Sequence, residues 1–161
     1  MTWTEPEVFY QRLAAFHATA AALITESGTG RILLVKPTYK DSWAWPGGYL
    51  DAGEYPQDGC ARELAEELGI TIAVGRLLLL DFAPPAGKRQ RALFSMTFDC
   101  GDLPADATVQ LQPDELQAWK FFTAEEAAER LPATERHRAA AALHARRHRT
   151  THYLAAGRGS R

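Results

Sequence analysis

The stretch from Gly48 to Ile70, GYLDAGEYPQDGCARELAEELGI, constrains this chain more than any other. It sets Glu63, Glu66 and Glu67 three and four residues apart, so a helix here projects all three carboxylates from one face. Like charges at those spacings cost an isolated helix roughly 0.2–0.5 kcal/mol per pair, and the arrangement therefore needs a counter-charge. A hard divalent cation such as Mg²⁺ takes oxygen ligands and commonly shares them with a substrate's phosphates. Ala61, Leu64, Ala65 and Leu68 recur with helical period and are read as the buried stripe, leaving the carboxylates on the opposite side. Pro56 suits the first turn, Asp58 complements the positive end of the helix dipole, and Gly69 is placed for a left-handed cap. The predicted helix therefore runs from Pro56 to Leu68, with Tyr55 at an N-cap position for which it lacks the usual side chain.

Gly48, Glu54 and the run Arg62-Glu63-Leu64-Ala65-Glu66-Glu67-Leu68-Gly69-Ile70 stand at the spacings of the Nudix box, Gx5Ex7REUxEExGU with U aliphatic, and fill every specified position. Trp43-Ala44-Trp45-Pro46-Gly47-Gly48 resembles the lead-in of the same family. A lone Glu-x-x-Glu-Glu would carry little weight, whereas the whole pattern is specific, although it covers 23 of 161 residues.

The resemblance implies the Nudix fold, an α/β/α sandwich with a mixed β-sheet. It also implies that Glu63, Glu66 and Glu67 hold Mg²⁺ or Mn²⁺, helped by the backbone carbonyl of Gly47 or Gly48. Arg62 would pair with Glu54 and brace the loop against the helix; direct contact of Arg62 with phosphate is the alternative. Glu115 stands in a loop from which many family members supply a further ligand or general base, with Asp114 or neither residue as alternatives. The implied activity is hydrolysis of a diphosphate linkage in a nucleoside diphosphate linked to another moiety, a nucleotide or nucleotide sugar, by metal-activated water. Two rivals share the fold. A catalytically silent module binding nucleotide or RNA would typically have lost box glutamates, and none is lost here. An isoprenyl diphosphate isomerase would use a cysteine and ligands outside the box, and neither Cys60 nor Cys100 has that context.

Substrate contacts are sought among Lys88, Arg89 and Arg91, at a turn between two strand-like runs, where phosphate binding competes with a solvated hairpin tip. Tyr39 and Trp43, with Trp45 and Tyr49, offer rings for stacking on a base, against the commoner role of packing.

Around the box the chain reads as one domain over 1–148, opening with a short helix capped from Thr4 and closing with helices from Thr123 to about Leu131 and from Ala133 to His148. Strands are expected over His17–Thr25, Arg31–Val35, Val74–Phe82, Arg91–Phe98 and Trp119–Phe122. From Arg130 onward eight arginines face one acid, so the earlier residues carry a net −9 within an overall −2. That basic end is read as a solvated helix face followed by a flexible tail over 149–161, and nucleic acid is not expected as a partner. The apolar run Ala18–Ile24 is too short to span a bilayer, and two cysteines make no disulfide framework, so a cytoplasmic location without membrane association is expected. A homodimer is compatible with this reading.

Overall fold

The sheet is built around β1 (His17–Glu26), whose apolar run shows none of the alternation of a half-exposed strand. A computed structural model describes residues 5–155, and in it Ala20 to Glu26 are all buried. Ala20, Ala22 and Ile24 pack with Cys60, Leu64 and Leu68 of α2 (Pro56–Leu68), while Ala21 and Leu23 face Ala127 of α3 (Ala124–Arg130) and Ala139, Ala142 and Ala145 of α4 (Arg136–His148). Helices thus cover both faces of the sheet, the expected α/β/α sandwich.

β2 (Ile32–Pro37) leaves β1 after the Ser27–Gly30 turn, with Thr25 opposite Ile32 as their paired residues. The segment from Ala44 to Tyr49 fills the gap. Val35 bridges Ala44, the Ala22 N–H donates to the Pro46 carbonyl, and β3 (Gly47–Tyr49) pairs with Thr19 to Ala21. Gly47 has φ +133, and a Cβ there would lie 2.2 Å from the Ala20 carbonyl oxygen, so this close approach requires glycine. The glycine pair is thereby fixed over β1 and beside α2.

β4 (Leu77–Ala83), β5 (Leu93–Leu103), β6 (Leu116–Phe122) and β7 (His152–Ala155) complete a sheet ordered β6-β2-β1-β5-β4-β7, with β3 pairing β1 off that path. β1 runs parallel to β5 and β4 parallel to β7, and the remaining pairs are antiparallel. Thr123 and Glu126 form the expected capping box of α3. The second C-terminal helix starts later than expected, at Arg136, because the Glu135 N–H turns back to the Pro132 carbonyl. β4 likewise begins at Leu77, and β5 runs on to Leu103. α1 (Pro6–Arg12) buries no residue and has Glu5 at its N-cap; Thr4, expected to cap it, lies outside the described residues.

The basic C-terminal end departs most from expectation. His152–Ala155 form β7, parallel to β4, and Leu154 packs against the core, so the segment after 148 is not simply a tail; residues 156–161 lie outside the described part. Arg146 reaches the Leu23 and Gly101 carbonyls and forms an ion pair with Asp99 at 2.7 Å, and Arg138 is 5% exposed. These two arginines tie α4 to the sheet instead of forming a solvated face. Truncation after Thr150 removes β7 and the Thr151 hydroxyl donated to the Leu77 carbonyl. It should lower the melting temperature by about 3–8 °C, as expected for about 2 kcal/mol in a chain of this size. An unchanged midpoint by calorimetry would restore the tail reading.

Candidate active site

The helix that carries the carboxylates has the expected bounds, with Pro56 in its first turn and Gly69 in the left-handed conformation (φ 63, ψ 24) at its end. Its buried face differs from the expected stripe. Gly59, Cys60, Leu64, Glu67 and Leu68 are buried, whereas Ala61 and Ala65 are exposed. The helix is therefore turned so that Glu67 points into the protein at 7% exposure, while the Glu66 side chain stays 54% exposed and that of Glu63 is 14% exposed. The three carboxylates occupy three different environments, not one common solvated face.

Arg62 organises this set. Its Nε and Nη2 donate to the two oxygens of Glu54 at 2.9 and 3.0 Å, Nη1 donates to Glu63 and Glu66 at 2.9 and 3.0 Å, and Nη2 also reaches the Tyr49 carbonyl at 3.1 Å. All five guanidinium N–H groups are used, a fork that lysine could not reproduce. The Arg62 bonds, aided by the Asp51 N–H, draw the Glu54 carboxyl down to about 2, so it stays ionised at any working pH; the same contacts push Arg62 up. The loop before α2 is thus pinned to the helix.

Against β3, the Gly47 N–H donates to Glu67 Oε2 at 2.8 Å, and a Cβ on Gly48 would come within 2.5 Å of Glu63 Oε1. Burial pushes Glu67 up to about 7; the Gly47 N–H opposes this, Glu63 and Glu115 add to it, and Lys40 offsets part. Burial also raises Glu63, against the pull of Arg62. Glu67 is therefore a desolvated acid whose neighbours are mostly negative.

No group of three or more His, Cys, Asp or Glu side chains among the described residues is already gathered as a metal cage. The donor chemistry nevertheless fits a hard cation. Glu63 and Glu67 offer only oxygen, they lie against the Gly47–Gly48 backbone, and a positive charge there would relieve the ionised form of Glu67.

Glu67 lies on the wall of a cavity of about 390 Å³ that runs from the glycine pair across β1, β5 and β4 to the start of α4. Tyr39 and Arg89, both anticipated, line it; Arg89 is steadied by the Pro84 carbonyl at 2.8 Å. Lys88 and Arg91 do not line it and lie exposed on the turn between β4 and β5. Trp43 does not line it: its ring lies edge-on to Phe122 at 4.8 Å against the core. Glu115 is exposed but close enough to raise Glu63, Glu67 and the Tyr39 phenol by like charge. Lys40, Asp81 and Arg138 also line the cavity and were missed. An acid inside the apolar run Leu77–Phe82 was the one available signal, because a charge in a strand covered on both faces needs a partner or a purpose.

Comparison with known proteins identifies the family and the fold. The NUDIX domain family model matches residues 15–144. A MutT-like protein of Streptomyces ambofaciens is 28% identical over 146 residues, spanning 88% of this chain and 90% of the relative. Among solved structures, the MutT protein of Methanosarcina mazei Go1 superposes with a TM-score of 0.69 at 24% identity, covering 83% of this chain and 96% of its own. A UDP-X diphosphatase superposes with a TM-score of 0.69 at 22% identity, covering 95% of this chain and 76% of its own.

The raised pKa of Glu67 has a stability consequence. A carboxyl held near 7 in the folded state but near 4.5 unfolded keeps its proton better when folded, so its contribution is full below pH 4.5 and is lost as pH rises through about 7. In metal-free buffer the unfolding free energy should fall between pH 5 and 8, by up to about 3 kcal/mol. Glu67→Gln should flatten that slope, as should added Mg²⁺. Denaturant titrations with and without chelator check this, and an equal slope in Glu67→Gln would show that Glu67 is not its source.

Proposed function

The chain belongs to the NUDIX family and is a hydrolase acting on phosphoanhydride bonds; we propose that it cleaves the diphosphate linkage of a nucleoside diphosphate carrying a further moiety, a nucleotide or nucleotide sugar, with Mg²⁺ or Mn²⁺. The observation that carries this reading is the position of Glu67, a buried acid at the end of a cavity that also presents the Gly47–Gly48 backbone, Lys40 and Arg89. A UDP-X diphosphatase among the similar solved structures is consistent with such a linkage.

Glu63, Glu66 and Glu67 would hold the cation, with a backbone carbonyl of Gly47 or Gly48. When bound, it supplies charge neutralisation on the transferring phosphoryl group and Lewis acidity. Lys40 and Arg89 then take up charge on the remaining phosphate oxygens as point and fork donors. Arg62 contributes no contact to phosphate in this reading, since its five donors are committed to protein oxygens. Water is the nucleophile, because the box presents no usable Ser, Lys or Cys: its one cysteine, Cys60, is fully buried beside Cys100. A box glutamate or Glu115 accepts the proton. The buried cysteines also weigh against an isomerase that needs a cysteine at its reaction centre, and the intact carboxylate set weighs against a silent binding module.

Turnover of a panel of nucleoside diphosphate derivatives should require Mg²⁺ or Mn²⁺ and stop in excess EDTA. In ¹⁸O-water one heavy oxygen should enter one of the two phosphate-bearing products; a phosphorylated enzyme, or no label at phosphorus, would overturn the reading. Gly48→Ala makes a sharper local test. The three atoms nearest its Cβ all belong to the Glu63 carboxylate, which it displaces, so turnover should fall at least about 10-fold, equivalent to about 1.4 kcal/mol, with little loss of thermal stability. A melting temperature that collapses while activity per folded molecule holds would make the Glu63–Gly48 contact structural.

A further inference from the structure

One helix of this chain has no surface to lie on, and one end of its sheet is only partly covered. α1 buries no residue and has no side-chain cap, while Val8, Phe9, Tyr10 and Leu13, along it and at its C-cap, stand 39–69% exposed. It has seven residues, and a helix shorter than roughly 12–15 is marginal in water on its own. α1 therefore depends on burying its apolar side chains against something.

The β4–β7 end of the sheet offers the complementary surface. Phe82 pairs with Phe94 and Ala155, and Leu80 with Met96 and Tyr153, so these residues share one face. It is the α2 side, since Met96 packs with the α2 cluster. Among the described residues, Leu80, Phe82, Phe94 and Tyr153 pack with neither core cluster; the first three are half-buried and Tyr153 is 64% exposed. Phe16 extends the patch, its ring 5.1 Å from Phe94 and 6.3 Å from Phe82, and is itself 46% exposed. Asp81 and Ser95 of the same strands alternate onto the opposite face, so this patch is separate from the cavity wall that they form.

We propose that α1 of each copy packs on the patch formed by Leu80, Phe82, Phe94, Tyr153 and Phe16 of a second copy, making a reciprocal two-fold dimer. A chain that carries both halves of an unmade contact is self-complementary, and a two-fold exchange makes the contact twice. At roughly 200 Å² per aromatic side chain, the exposed parts of Phe9, Tyr10, Phe16 and Tyr153 come to about 450 Å² per copy. With Val8 and Leu13 added, two copies together remove about 1,000 Å² from water, the lower bound for a specific interface, so the dimer is reversible.

Sedimentation equilibrium of the full chain, from micromolar to millimolar concentration, should show reversible association to twice the 17.8 kDa chain mass. The melting temperature should rise with protein concentration. Phe9→Glu alters α1 alone and Tyr153→Glu alters the patch alone, and both positions are at least half exposed, so both variants should keep the wild-type circular dichroism. If either is unfolded, Phe9→Ser or Tyr153→Ser takes its place. Each should weaken dimerisation at least 10-fold. An equimolar mixture of the two should form more dimer than either alone, because the heterodimer keeps one unaltered helix against one unaltered patch. The proposal is overturned if the wild type stays monomeric throughout, or if both variants associate as it does. It is likewise overturned if mixing recovers nothing, which would put like against like. A concentration-independent melting temperature that Phe9→Glu lowers would also overturn it, since α1 would then cover the patch of its own chain.

Discussion

One guanidinium holds the box carboxylates beside the cavity together. Arg62 spends its five N–H groups on Glu54, Glu63, Glu66 and the Tyr49 carbonyl, which joins the loop after β3 and two consecutive turns of α2 through a single planar group. The Arg62 side chain is 28% exposed, so the ion pairs add little to stability individually. Their effect is geometric, because a carboxylate bonded bidentately cannot rotate away. Glu54 touches no cavity wall, yet it fixes the residue that orients Glu63 and Glu66.

Arg62 does not reach Glu67, and that division organises the electrostatics. Glu63 and Glu66 have a resident cation, whereas Glu67 has one backbone N–H and a distant lysine. Burial therefore raises Glu67, the one box carboxylate that lines the cavity.

The sequence made the carboxylate end legible because its determinants are local. Pro56, Gly69 and the spacing of Glu63, Glu66 and Glu67 lie within a single helix, and its bounds came out as read. The rotation of that helix was not legible. Ala61 and Ala65 complete a respectable apolar stripe on paper, but the surface that α2 meets includes the Gly47 N–H, which wants an acceptor, so Glu67 turns inward and the alanines turn out. Trp43 and Trp45 show the same limit at shorter range. Two residues apart in a bent segment, one ring falls against Phe122 in the core and the other on the cavity wall, and only the path taken by β3 decides which. β7 was missed because four residues with Tyr153 exposed have no period of their own and are strand only by pairing with β4.

The opposite end of the cavity is illegible for a physical reason. Asp81 and Arg138 come from β4 and α4, and Arg138 meets Ser95 and Thr97 across 43 and 41 residues of sequence, so no local pattern announces them. Each looks like an error in its own element: an acid in a leucine-rich strand, an arginine in an alanine-rich helix. Arg138 donates to both Ser95 and Thr97 and approaches Asp81 at 3.9 Å, so the three elements are joined by polar groups that no local pattern predicts. Asp81 and Arg138 both line the cavity, but their unpaired atoms are closed to solvent, so the packing of α4 against β4 and β5 is what places them. The two parts of the cavity thus differ in the kind of information that builds them: a contiguous motif around Glu67, and long-range packing around Asp81 and Arg138.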